Sequence, residues 1–319
     1  MQTITDTDLH LAANFLDNGE LIAIPTETVY GLAGNALNDT TVMNIFRVKE
    51  RPAFDPLIVH VADADEVMHY VVDIPLRAQQ LMEAFWPGPL TIVLKKKSII
   101  PDLVTSGLDT VGMRMPSHPL TLELLNHLKF PLAAPSANPF GYISPTSAKH
   151  VMDQLSGKIP YILDGGDCSV GLESTIVGFE EDRCVVYRLG GLTLEAIRKV
   201  VPELEIQVNI SSDPKAPGML KSHYAPRKQL LFGDFNTMKH HLRAKRCAVL
   251  SFAENAEVRA NAVVFKMLSP ENNIDEAARN LFAALRELDN ADVDLIIAEP
   301  VPDFGLGKAI NDRLKRAAG

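Results

Sequence analysis

The chain has 319 residues, 46% of them hydrophobic and 22% charged, which suffices to bury a core and fits about two domains by the usual length prior. A formal net charge of −9 excludes a broadly basic surface of the kind that displaces counterions from nucleic-acid phosphates. Cys168, Cys184 and Cys247 are far apart, odd in number and without C-x-x-C spacing, which excludes a disulfide framework and a cysteine zinc site.

The N-terminus, MQTITDTDLH, is acidic and polar where a secretory signal is basic and then apolar, and no apolar run approaches the roughly 20 residues that span a bilayer. The expected compartment is the cytoplasm, with no membrane association. Thr5 to Asp8 reads as a capping-box-like start to a first helix, carried by Leu9, Ala12, Ala13 and Leu16 and stopped by Gly19. LIAIP at 21–25 is predicted to be a strand, NDTTVMNIFRVKE a capped helix, and PLIVHV at 56–61 a strand. PLTIVLK, TVGMRM, PLAAPS, YILDGG, STIVGF and CVVYRL read as further short strands, with helical segments around 75–85, 118–128, 146–155 and 193–201. Several strands follow one another without a helix between them, so the fold class expected is mixed α/β (α+β) with a twisted mixed sheet. From about Pro202 to Arg227 the periodicity fails and the composition turns to Pro, Ser, Asp, Lys and Gly, which reads as a linker. Beyond it QLLFGD, CAVLSFAE, AVVFKM and VDLIIAEP alternate with helical stretches at 236–244, 274–290 and 307–317, predicting a small Rossmann-like α/β domain. The expected division is therefore 1–201, a linker at 202–228, and 229–319.

Four places along this framework carry chemistry. PTETVYGLAGNA at 25–36 breaks a strand end into hydroxyl and small residues, either a turn that aims backbone N–H and hydroxyl groups at a polar ligand or a turn in which Thr26 caps a short helix. KERPAFDPLIVH at 49–60 sets Lys49 and Arg51 at a helix end, able to converge on an anion or simply to complement the helix dipole, with His60 in the strand that follows. APSANPFGYISPTS at 134–147 places Ser136 and Asn138 in a stiff loop after an apolar strand, suited to a nucleotide phosphate or to terminating the strand as a turn. VGMRM, LESTIV and VYRLGG contribute Arg114, Ser174 and Arg188. An arginine in a strand is expensive to bury alone, so Arg114 and Arg188 are expected to meet acids such as Glu173 or a ligand's carboxylate or phosphate. PDFGLGK at 302–308 is not a P-loop because Pro302 stands where the first glycine belongs, and no G-x-G-x-x-G, zinc spacing or G-x-S-x-G elbow is present.

Taken in order, PTETVYGL, Lys49-x-Arg51, PLIVH, VGMRMP, Ser136-x-Asn138, SPTSA, LDGG, ESTIV and RLGG resemble the threonylcarbamoyl-AMP synthase family with its YrdC-like domain. PGMLKSHYAP and the added C-terminal domain resemble that family's long, two-domain form. The resemblance implies an L-threonylcarbamoyladenylate synthase, a nucleotidyltransferase that combines L-threonine, bicarbonate and ATP with the help of Mg2+ and releases pyrophosphate. Its product feeds a tRNA-threonylcarbamoyl transferase machinery acting on ANN-decoding tRNA. It implies that Thr28, His60, Arg114, Ala134 and Ser174 contact threonine. Lys49, Arg51, Thr110, Ser136, Asn138, Ser144 and Arg188 would surround ATP, with Lys49 and Arg51 as the catalytic pair, and Tyr224 of HYAP would close over the nucleotide from a linker acting as a lid. Mg2+ would be held mainly by the ATP phosphates. Asp55 stands where the family often has asparagine, and an anion beside the triphosphate calls for neutralisation by Mg2+ or Arg51.

Two other readings compete. An RNA-binding module would use Lys95, Lys96 and Lys97 with Lys49 and Arg51 as a basic patch, although the net acidity limits direct tRNA binding to a weak contact. A carbamoyl transferase of the hydrogenase-maturation type shares a related domain but brings zinc-finger and acylphosphatase-like modules that this sequence lacks.

Overall fold

Short runs of Ile, Val, Leu and Thr separated by turn residues become strands because branched side chains pack well on a pleated surface. In a computed structural model, which describes residues 1–180, 183–208 and 223–319, these runs form β1 (Ile4–Asp6), β2 (Ile22–Ile24), β3 (Gly31–Asn35), β4 (Ile58–His60), β5 (Leu90–Lys95) and β6 (Thr110–Arg114). They continue as β7 (Leu132–Ala133), β8 (Tyr161–Leu163), β9 (Thr175–Glu180), β10 (Arg183–Arg188) and β11 (Leu204–Ile206). Among the described residues these make one sheet in the order β1-β8-β2-β3-β7-β4-β6-β5-β9-β10-β11. The sheet is mixed as expected: β4 pairs with β6, and β5 with β9, in parallel, whereas β5 and β6, β4 and β7, and β9 and β10 are antiparallel.

Three elements differ from the sequence reading. Thr5 lies in β1, paired in parallel with β8, and the first helix, α1 (Leu9–Asp17), is capped by Asp8, whose carboxylate accepts from the Leu11 amide. No helix follows Thr26. The chain instead runs into β3, a strand of small residues that pairs with β2, and at Gly34 a Cβ would come within 2.5 Å of Thr41 and 2.6 Å of Leu21. A side chain there would force Thr41 and Leu21 to move, so glycine eases the close approach of strand and helix. Leu204–Ile206, inside the stretch read as linker, adds to the sheet beside β10. Residues 209–222 of that linker, including Leu220 and Ser222, lie outside the described residues.

α2 (Asp39–Lys49) starts on the Asn38 side chain and ends with Glu50 in the left-handed region at φ 55°. With the helices Leu76–Phe85, Ala148–Leu155 and Leu194–Val200 it packs Val42, Ile45, Phe46, Leu81, Val151 and Ile197 against Val59, Leu90, Ile92, Val111, Met113, Val177 and Val186 of the sheet, forming the larger core.

Contacts divide the chain into two units. The first comprises residues 1–140 and 145–169 and the described residues of 173–208, and the second 141–144, 170–172 and the described residues from 223 onward. In the second unit β12 (Gln229–Phe232), β13 (Cys247–Ser251), β14 (Val264–Met267) and β15 (Leu295–Ala298) form an all-parallel sheet in the order β12-β15-β13-β14. The helices Phe235–Ala244, Ala256–Asn261 and Ile274–Asn290 supply the crossovers that parallel strands require.

Candidate active site

Register decides which residues of the first unit share a surface. His60 stands opposite Arg114 and Ile58 opposite Gly112 in the β4/β6 pair, while Val93 faces Gly112 across β5 and Ile176 faces Thr91 across β9. Because side chains alternate along a strand, His60, Thr110, Arg114, Thr91 and Ser174 fall on one face and Val59, Val111, Met113, Leu90 and Ile92 on the other. The second set is the helix-covered core. The first set sits among a smaller apolar patch of Ile58, Val93, Ile176, Val185 and Tyr187.

Arg114, 4% exposed, is anchored at one end of this face. Its Nη2 donates to Glu27 Oε1 at 2.7 Å and to Thr28 Oγ1 at 2.9 Å. Glu27 Oε2 accepts from the Ser117 amide at 3.0 Å, and Thr28 Oγ1 is 2.8 Å from Thr26 Oγ1, which also accepts from the Thr28 and Val29 amides. The acid expected for Arg114 is thus Glu27 and not Glu173. His60, 2% exposed, is held neutral: burial first, and the Arg114 guanidinium second, push its pKa down to about 3.

Further along the face, Arg188 Nε and Nη2 donate to the Ser174 carbonyl at 3.1 and 2.9 Å, and Nη2 also reaches Ser174 Oγ at 3.0 Å. Ser174 Oγ is 2.7 Å from Thr91 Oγ1. The register of β10 shifts between Val186 and Arg188, which turns Arg188 toward Ser174. Gly190 is required nearby, since a Cβ there would sit 2.2 Å from the Glu173 carbonyl oxygen.

A second cationic group gathers at the C-terminus of α2. Lys49, 1% exposed, donates from Nζ to the Ser136 and Asn138 carbonyls at 2.5 and 2.6 Å, and its own carbonyl accepts from Phe140. Burial, then Arg51, lowers its pKa well below the ordinary lysine range, with Asp55 opposing. Arg51 forms a 2.8 Å ion pair with the fully buried Asp55 and donates to the carbonyls of Asp55 and Pro56. The loop that Lys49 grips is also stitched to the start of β3: Leu32 donates to Pro135, Ala137 to Tyr30, and Ser136 bridges Gly31. Ala134 donates to the Ile58 carbonyl and packs against Gly31.

The first unit therefore brings together Thr28, His60, Arg114, Ala134, Ser174 and Arg188 on one surface, with Lys49, Arg51, Asp55, Ser136 and Asn138 in an adjoining loop cluster. Thr110 shares the face but begins β6, at the far end from Arg114. Ser144 and Tyr224 belong to the second unit. There the Ser144 carbonyl accepts from Arg286, and Tyr224, 1% exposed with φ 68°, stacks on Phe282 at 5.7 Å, with the guanidinium groups of Arg313 and Arg316 4.9 and 5.1 Å from its ring centroid. Glu27 and Thr91 are the polar residues that sequence reasoning missed. The one available signal for Glu27 was a carboxylate flanked by threonines in PTET. Lys96 and Lys97 of the supposed basic patch are occupied locally, Lys96 by Asp102 and the Ile100 carbonyl and Lys97 by the Met68 carbonyl. Lys49 is buried and lies outside any such patch.

Comparison with known proteins identifies the family. Residues 14–190 match the Sua5_yciO_yrdC family, described as "Telomere recombination", and residues 192–319 match "Threonylcarbamoyl-AMP synthase, C-terminal domain". Proteins named threonylcarbamoyl-AMP synthase from Pyrococcus abyssi and Bacillus subtilis are each 41% identical, covering 100% and 98% of this chain and 96% and 94% of their own. The crystal structure of P. abyssi Sua5 complexed with L-threonine superimposes with a TM-score of 0.91 at 40% identity, covering 100% of this chain and 97% of that one. With both family models matched in order along nearly its whole length, the chain belongs to the threonylcarbamoyl-AMP synthase family in its two-domain form.

Proposed function

We propose that this chain is a nucleotidyltransferase that condenses L-threonine, bicarbonate and ATP into threonylcarbamoyl-AMP and pyrophosphate, in the cytoplasm, for a downstream tRNA-threonylcarbamoyl transferase. The observation that carries the reading is the polar face of the first unit's sheet, where one buried arginine, one neutral histidine and a row of hydroxyls face away from the helix-covered core. Such a set suits a small zwitterion with a hydroxyl side chain.

In the first step the threonine amine attacks the bicarbonate carbon, a C–N bond forms, water leaves, and a carbamate results. Arg114 would hold the α-carboxylate, while Thr28, Ser174 and the Ala134 backbone would take the hydroxyl and amine. A neutral His60 adds no charge to repel the ammonium group and offers a nitrogen to hydrogen-bond with it. In the second step a carbamate oxygen attacks the α-phosphorus and pyrophosphate departs. The attacking group is already an anion, so this step needs no nucleophile–base pair. Positioning and charge neutralisation suffice. Lys49 and Arg51 would meet the phosphates, with Ser136, Asn138 and Arg188 beside the nucleotide. Thr110, Ser144 and Tyr224 rest on the family resemblance alone.

Among the described residues no group of three or more His, Cys, Asp and Glu side chains comes together, and the one carboxylate beside Lys49 is ion-paired with Arg51. This donor set suits Mg2+ carried by the triphosphate oxygens, where it supplies charge neutralisation. Direct tRNA contact is proposed to be weak, given the net charge of −9 and the local bonding of Lys96 and Lys97.

The test is pyrophosphate release from ATP by the purified protein with bicarbonate and Mg2+, with and without L-threonine, followed by mass analysis of the nucleotide product. The expected result is threonine-dependent release and a threonylcarbamoyl-AMP mass. Threonine-independent release, or AMP without the adduct, overturns the reading.

A further inference from the structure

Glu27 is buried, matches none of the positions that the family resemblance assigns to a ligand, and touches the residue on which amino-acid binding depends. A guanidinium has two edges able to grip a carboxylate with paired donors, Nε with Nη2 and Nη1 with Nη2, and Nη2 belongs to both. Each Nη nitrogen carries two hydrogens. In Arg114 this shared nitrogen, Nη2, already serves two acceptors, Glu27 Oε1 at 2.7 Å and Thr28 Oγ1 at 2.9 Å. The nitrogen common to both edges is thereby committed inside the protein. What remains is Nε, buried and without a hydrogen-bond partner among the described residues, together with Nη1.

Glu27 is itself held from a second direction. Its other oxygen accepts from the Ser117 amide at 3.0 Å, just beyond the end of β6, so the carboxylate spans the Pro25–Tyr30 turn and the strand that carries Arg114. The side chains of the ion pair are 5% and 7% exposed, which shields them from solvent screening. A buried guanidinium without this acid would be uncompensated in charge and unheld in orientation.

We propose that Glu27 is a positioning residue for threonine. By occupying Nη2 it fixes the guanidinium plane, so that the remaining donors meet the α-carboxylate in one orientation with its amine turned toward the carbamate-forming position. The inference rests on the proposed threonine-activating reading and adds to it a residue that acts only through Arg114.

The experiment compares wild type with Glu27→Ala and Glu27→Gln, using calorimetric L-threonine binding and steady-state kinetics in threonine and ATP. Glu27→Ala should weaken threonine binding and raise the threonine KM at least about tenfold, leaving kcat and the ATP KM within about threefold. Glu27→Gln keeps one amide oxygen for Arg114 or Ser117 and should fall between the two. A purely structural role would reduce folded protein and apparent kcat while leaving the threonine KM and affinity of the folded fraction unchanged, which overturns the proposal, and Glu27→Gln, which preserves shape, keeps the question open to measurement if Glu27→Ala does not fold. Threonine binding equal to or tighter than wild type in either variant overturns the proposal. Absence of threonine binding by wild type overturns the underlying reading instead.

Discussion

Along β4 and β6 consecutive residues face opposite surroundings. Val59, Val111 and Met113 pack under the helices, whereas His60 and Arg114, their immediate neighbours, lie on the polar face. Both faces are buried, so exposure does not separate them. What separates them is the partner: apolar side chains on one face, and on the other hydroxyls, a carboxylate and backbone carbonyls that leave donors such as Arg114 Nε unused. A change on the helix-covered face should therefore be read in stability, and a change on the polar face in threonine-dependent turnover.

The comparison can be broken most forcefully at Arg114. Arg114→Ala strands the Glu27 carboxylate and removes the proposed carboxylate anchor, so kcat/KM for threonine should fall on the order of a thousandfold, with a loss of roughly 3 kcal/mol in stability. Threonine titration and urea unfolding read the two effects separately. On the opposite face, Ile92→Ala should cost about 2–4 kcal/mol in urea unfolding through the cavity it leaves, while the threonine KM of the folded fraction stays within about twofold. If both variants lose activity and stability in the same proportion, the division between faces fails.

Acid sharpens the contrast. His60 takes up a proton near pH 6.5 in the unfolded chain but only near pH 3 in the fold. The unfolded state therefore binds more protons between those values, and stability must fall as pH drops through that window. The contribution near pH 4 is roughly 3 kcal/mol, and it should vanish in His60→Gln, flattening the acid limb of a stability-against-pH series. The smallest effect belongs to the ion pair of the half-buried Lys96 with the exposed Asp102: Lys96→Ala should change stability by less than about 1 kcal/mol and leave threonine-dependent turnover unaltered.

Most of this architecture was legible because branched apolar runs announce strands and Asn38, Ser147 and Thr193 announce helix starts. The small residues of β3 carry no such signal and become a strand only because β2 and β7 pair with them. β1 is exposed along its length and pairs only at the sheet edge, so its polar sequence looks like a helix cap. In the site, the need of Arg114 for an acid was readable, but the identity of that acid was not. Glu27 is 87 residues away in sequence, and no local spacing could report a contact that the strand order creates.

That separation also bears on how the protein comes to be active. Arg114 meets Glu27 across 87 residues, and Thr91 meets Ser174 across 83. Contacts so distant in sequence are paid in loop-closure entropy before they return any stabilisation, and such pairings form late on the path to the native state. The polar face thus has no precursor in any single helix or hairpin. A nascent or partly refolded chain carries its cationic helix end early and its polar sheet face only when the central strands have closed, so recovery of turnover after dilution from denaturant should follow the slowest step of sheet assembly and never precede it.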